Sequence, residues 1–245
     1  MTDTEYLDRD GLHLAYRHRP GRGPTIVFLP GYMSDMAGNK ALALAAWAER
    51  EGRAMLRFDY AGRGESSGEF EAQTLATYLE DVLAMIDGVA EGPVLLVGSS
   101  MGGWLMLHAA LARPERVAAL VGIAAAPDFT DWGFTDAQKR VVEEQGRIEE
   151  PSEYGGYAIV TTRDFVRSGD RLKLLDAPID ISCPVRLLHG QADTDVPWRN
   201  SLLLAERLRS SNVQTILVKG GDHRLSRDAD IALLIATVAQ LMEPM

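Results

Sequence analysis

Only one cysteine, Cys183, occurs in the 245 residues. An internal disulfide is therefore excluded, which fits a reducing compartment, and beside Pro184 the thiol reads as buried. Positive charge is also scarce: 25 Lys and Arg against 35 Asp and Glu leave a formal charge of −10 and an isoelectric point near 5.0. Nucleic acid and anionic membranes need basic patches, so neither is an expected partner. Apolar runs of the ~18 residues that a membrane span requires are missing. The leading Met1-Thr2-Asp3-Thr4-Glu5 shows neither a basic segment followed by an apolar one nor an Arg-rich presequence. A soluble, cytoplasmic protein is the expectation. No His, Cys and carboxylate cluster has metal-ligand spacing, so neither metal nor other cofactor is expected.

What is present suits one globular domain: 46% of residues are hydrophobic and 24% charged. Residues 4–18 alternate around Asp10-Gly11, a hairpin signal. Strands are then predicted at 25–29, 54–58, 94–97, 117–123, 185–188 and 213–218, with helices at about 39–51, 75–89, 104–112, 201–208 and 228–241. This rhythm predicts a mostly parallel eight-stranded sheet with helices on both faces. It breaks between Ala126 and Ile181, where Asp128-Phe129-Thr130-Asp131-Trp132, an acidic helical stretch at 135–150 and Tyr154-Gly155-Gly156-Tyr157 replace one short helix. Residues 1–125 and 182–245 thus read as the core, and 126–181 as a small lid or, alternatively, an elaborate crossover.

The chain's most informative stretch is Val94-Leu95-Leu96-Val97-Gly98-Ser99-Ser100-Met101-Gly102-Gly103. An apolar strand stops at small residues that open an apolar helix, and Gly98 to Gly102 fits G-x-S-x-G, with Ser100 at the apex of a strained turn. A Cβ at Gly98 or Gly102 would collide with neighbouring backbone, and Gly103 lets the helix lie close. The helix N-terminus directs partial positive charge at Ser100, and the Met101 amide stands ready for a developing oxyanion. Ser99, one residue away, points elsewhere.

A serine hydroxyl needs a base, and the base needs an orienting group. His223 lies in the loop Gly220-Gly221-Asp222-His223-Arg224 between the last strand and the last helix, and reads as that base. Asp193 is the first choice of acid, Asp195 the second, both in the turn after 185–188; Asp128, after the strand ending at Ile123, is a third candidate. Asp222 is too close to His223 in sequence to face the same ring nitrogen. A second oxyanion donor is expected from Gly31-Tyr32, with Tyr32 preferred; its ring would wall the pocket or pack on the elbow helix. Met33, Trp104, Phe129 and Trp132 suit an acyl chain and equally suit ordinary core. His108 reads as a core or interface histidine, His189 as structural, His13 and His18 as surface.

Several blocks resemble the α/β-hydrolase family, and within it the mitochondrial palmitoyl-protein thioesterases, also described as acyl-glucuronide esterases. These are Leu29-Pro30-Gly31-Tyr32, Arg57-Phe58-Asp59-Tyr60, the run from Val97 to Ala110, Cys183 to Gly190, Val196-Pro197-Trp198 and Asp222-His223-Arg224. The likeness spans about 25–240 and weakens across 126–181. It implies the α/β-hydrolase fold, with Ser100 as nucleophile, Asp193 as acid and His223 as base, in the chain order of that family. A serine hydrolase of carboxylic esters or acyl thioesters is the expectation, acting on a small molecule or an S-acylated protein. A peptidase or amidase on the same residues, and a non-catalytic receptor on the same scaffold, are the alternatives.

Overall fold

The computed structural model describes residues 3–151 and 158–243. A hairpin leads: β1 (Glu5–Arg9) and β2 (Leu12–Arg19) pair antiparallel. Asp10 and Gly11 between them both take positive φ, the geometry that a two-residue hairpin turn demands. Then β3 (Arg22–Leu29), α1 (Asn39–Glu51), β4 (Arg53–Phe58), α2 (Leu75–Gly88), β5 (Val94–Ser99), α3 (Met101–Ala112) and β6 (Val117–Ile123) follow in strict alternation.

Next comes the inserted region: α4 (Phe129–Trp132), α5 (Asp136–Gln145), β7 (Arg147–Pro151), β8 (Ala158–Thr162) and α6 (Arg163–Arg171). Alternation resumes with β9 (Val185–Gly190), α7 (Arg199–Arg207), β10 (Val213–Val218) and α8 (Asp228–Met242).

Eight strands form one sheet in the order β1-β2-β4-β3-β5-β6-β9-β10. The β1–β2 and β2–β4 pairs are antiparallel, and every other pair is parallel. Central strands are apolar on both faces because helices cover both. Val27 and Leu29 of β3, with Val94 and Leu96 of β5, pack under α2, α3 and α7. Their neighbours Ile26, Phe28, Leu95 and Val97 pack against Leu44 and Trp47 of α1 and Leu234 and Val238 of α8.

The inserted region differs from its predicted form. The helix expected over 135–150 ends at Gln145, because Gly146 takes φ 84° and closes it. Arg147–Pro151 is instead a strand paired antiparallel with β8, and α6 is an additional helix. The run Tyr154-Gly155-Gly156-Tyr157 lies outside the described residues. Several contacts hold the region down, two of them deeply buried. Phe165 of α6 is 1% exposed and belongs to the α2–α3 core, a burial worth about 2 kcal/mol. Buried Asp128 accepts hydrogen bonds from the Leu174 and Leu175 amides (2.8–3.1 Å), so it ties the start of the insertion to its end and does not orient a base.

Packing is tight where the loop after β3 crosses the start of α3. A Cβ at Gly102 would stand 2.1 Å from the Leu29 carbonyl oxygen and 2.6 Å from that of Pro30, both rigid backbone. Gly102→Ala is expected to cost about 2 kcal/mol or more in urea unfolding, with activity falling further than the folded fraction.

Candidate active site

Ser100 sits between β5 and α3 with φ 53° and ψ −118°, an L-residue in backbone space it rarely visits. Backbone hydrogen bonds hold it there: its amide donates to Ile123 O (2.9 Å), and its carbonyl accepts from the Gly103 and Ala126 amides (2.9 and 3.1 Å). Its Oγ lies 3.2 Å from His223 Nε2, and His223 Nδ1 lies 2.9 Å from Asp193 Oδ2. Three loops at the carboxyl ends of β5, β9 and β10 thus bring together the serine, acid and base picked out in the sequence.

The Asp193 carboxylate has no solvent exposure and takes four donors. Oδ1 accepts from the Asp195 and Val196 amides (2.9 and 2.8 Å), and Oδ2 from His223 and His189 (2.9 and 3.0 Å). Burial by itself would raise its pKa, but the hydrogen bonds from the two imidazoles prevail and hold it well below the usual carboxylate range. Asp195, the second choice, is exposed. Among the described residues, Asp193, Asp195 and His223 are also the one group with metal-ligand spacing, their ligand atoms within 4.8 Å. Each Asp193 oxygen already accepts two protein hydrogen bonds. Asp222 turns away, accepting from the Leu225 amide.

The loop after β3 runs beside the serine: a Cβ at Gly31 would lie 3.4 Å from Ser100 Cβ. Tyr32 follows it, its ring among Phe70, Phe129 and Phe165 and its hydroxyl donating to Val160 O of β8 at 2.6 Å. Met33 takes φ 57°, and its carbonyl accepts from Arg63. Buried Asp59 accepts from the Met36 amide while Arg57 donates to the Met36 carbonyl, so β4 and the turn after it fix this loop from below.

A cavity of about 450 Å³ opens over Ser100 and His223. Met33, Phe129 and Trp132 line it, as does Ser99. Trp104 does not: it is fully buried behind Phe129, edge to face at 5.6 Å, and its Nε1 donates to Leu172 O. His108, one turn on, meets the same carbonyl through Nε2 (2.8 Å), and burial lowers its pKa. His108 is a packing residue and His13 is exposed as expected, whereas His18 is half-buried in β2 and His189, read only as structural, touches the acid.

Sequence reasoning also missed the polar wall of Lys40, Glu150 and Arg224. Lys40 Nζ donates to Arg224 O at 2.5 Å. Burial, then the Arg224 charge, lowers its pKa to about 8 against the opposing pull of Asp222 and Asp230.

Comparison with known proteins decides the family. The model of the alpha/beta hydrolase family matches residues 26–241. The chain belongs to the alpha/beta hydrolase family. This hydrolase is 44% identical to the human mitochondrial palmitoyl-protein thioesterase ABHD10, over 99% of its own length and 81% of the relative's. The mouse protein of that name is 46% identical over 97% of this chain and 82% of the relative. The structure of mouse alpha/beta hydrolase domain-containing protein 10 superposes with a TM-score of 0.92 at 44% identity, covering 98% of each chain. Est1E from Butyrivibrio proteoclasticus, with ferulic acid bound, shares the fold at a TM-score of 0.82 and 22% identity, over 97% of each chain. The expectation of a cytoplasmic location does not stand: it rested on the first few residues, and the relatives at 44–46% identity are named mitochondrial.

The lowered Lys40 pKa has a thermodynamic sign. Between about 8 and 10.5 the unfolded chain holds a proton that the folded chain has released, so stability rises with pH across that window. Lys40→Met removes this gain. From pH ~8 to ~9.5 the unfolding free energy of the parent protein should rise relative to the variant by about 1 kcal/mol, read from paired urea titrations.

Proposed function

We propose that this hydrolase cleaves acyl thioesters and carboxylic esters through a covalent acyl-enzyme on Ser100. The observation that carries the reading is the continuous hydrogen-bonded line from Ser100 Oγ to His223 to Asp193. His223 Nε2 takes the Ser100 proton as Oγ adds to the acyl carbonyl, and Asp193 stabilises the imidazolium that forms. Collapse of the tetrahedral adduct expels the thiol or alcohol, which receives its proton from His223. A water then adds to the acyl-serine, its proton passing to the same nitrogen, and the carboxylic acid leaves with Ser100 restored. The Met101 amide, at the first turn of α3 where helix amides lack internal partners, and the Tyr32 amide, in the loop beside Ser100, are the oxyanion donors of this proposal.

The relatives' name supplies the acyl class, a palmitoyl group on protein thiols. For this chain the proposed substrate is a small or peptide-borne acyl thioester or ester, its acyl part among Met33, Phe129 and Trp132. Residues 126–181 act here as the lid that shapes this apolar wall. No helix among the described residues is long and apolar enough to cross a membrane.

Ser100→Ala should lower kcat on p-nitrophenyl and S-acyl-peptide substrates by roughly 10³-fold or more and abolish labelling by a fluorophosphonate probe, with the fold intact. Asp193→Asn should lose orders of magnitude, and Asp195→Asn far less. A Ser100→Ala protein that kept most of its turnover would remove the proposed mechanism.

Acyl preference is set separately from bond breaking. Each methylene buried is worth about 0.8 kcal/mol, so a wall that grips several carbons separates long from short chains by orders of magnitude. Trp132→Ala and Phe129→Ala should therefore reduce kcat/KM for octanoyl and longer substrates much more than for acetyl esters. Equal losses would place these side chains in support of the fold instead.

A further inference from the structure

His189 is the last-but-one residue of β9, its side chain wholly buried, and it is not one of the three residues that move protons in the proposed reaction. Its contacts fix its chemistry. Nε2 faces two acceptors, Asp193 Oδ2 at 3.0 Å and the Val196 carbonyl at 3.1 Å, so Nε2 must carry a proton. Nδ1 lies 2.7 Å from Ser201 Oγ of α7. With Nε2 as the donor, neutral His189 accepts the Ser201 hydroxyl proton at Nδ1, and that bond polarises the ring toward stronger donation to Asp193.

Asp193 therefore divides its charge. Two backbone amides hold Oδ1 and set the carboxylate's orientation, while Oδ2 is shared between His223 and His189. A carboxylate oxygen that spends one lone pair on a second N–H pulls less strongly on the His223 proton. We propose that His189, fixed in its Nε2–H tautomer by Ser201, is a positioning residue that moderates Asp193 and keeps His223 unprotonated and ready to accept the Ser100 proton. This inference rests on the proposed roles of Ser100, His223 and Asp193. Other charged groups stand near His223: Asp195 on the turn after β9, Asp222 and Arg224 on its own loop, and Lys40 of α1 lining the same cavity. None of them is altered in the variants below.

The test is kcat/KM against pH on a short p-nitrophenyl ester for the parent protein, His189→Leu, His189→Gln and Ser201→Ala. In His189→Leu the amides still hold Asp193, but Oδ2 serves His223 alone. The rising limb should then move up by about half a pH unit or more, with the loss at about pH 6 severalfold greater than that at about pH 9. His189→Gln, whose side-chain amide can replace the N–H, should return the limb toward its parent position. Ser201→Ala should shift it upward by less than His189→Leu, and it serves as the test if His189→Leu does not fold. Imidazole nitrogen NMR of the parent should show His189 as the Nε2–H tautomer. A limb unmoved in both His189→Leu and Ser201→Ala, or an Nδ1–H tautomer, would overturn the inference. Retained activity in Ser100→Ala would instead remove the mechanism on which it rests.

Discussion

Everything at the top of the sheet depends on how closely the loop after β3 can cross the turn that carries Ser100. That crossing leaves no room for a Cβ at Gly102, because the Leu29 and Pro30 carbonyl oxygens occupy the space. A short turn lets β5 enter α3 with Ser100 at its apex, and three backbone hydrogen bonds hold the serine at a φ of 53°. Ordinary backbone geometry there would lower the serine and separate its hydroxyl from the imidazole. The same crossing sets Gly31 and Tyr32 beside Ser100, so the serine and the loop proposed to bind the oxyanion are positioned by one packing contact.

From that point outward the site depends increasingly on side chains. Asp193 is kept ionised in a buried place only because four donors meet it. The loop of Gly31 to Gly38 owes its course to Arg57, Asp59 and Arg63, which reach it from β4 and the turn that follows. None of those three residues lines the cavity, yet each holds the backbone of the loop that carries Tyr32 and Met33.

The sheet and its flanking helices were legible because apolar periodicity and helix-ending glycines coincide. Asn39–Glu51 stops at Gly52, Val117–Ile123 is an uninterrupted apolar run, and the elbow announces itself through small residues. The inserted region was harder to read for a physical reason. Arg147-Ile148-Glu149-Glu150 has a single apolar side chain and two glutamates, a composition that favours helix, and only its pairing with β8 makes it a strand. The polar wall of the cavity was hidden because Lys40 and Arg224 are distant in sequence and neither belongs to a motif. The role of His189 was missed because its place in an apolar strand points to packing, whereas its contact with Asp193 arises from the turn that follows. Trp104 was misplaced because the pitch of α3 turns it under Phe129 and toward Leu172.

Asp128 brings the two stems of the inserted region together by binding the Leu174 and Leu175 amides, and it does so without lining the cavity. A segment whose stems are clasped in this way behaves as a cassette. Its interior can be lengthened, shortened or rewritten without changing the distance between β6 and β9, and hence without moving the acid turn that follows β9. Under the proposed function, substrate range and bond-breaking chemistry are thereby free to diverge at different rates, one altered by exchanging the cassette and the other preserved by the frame around it.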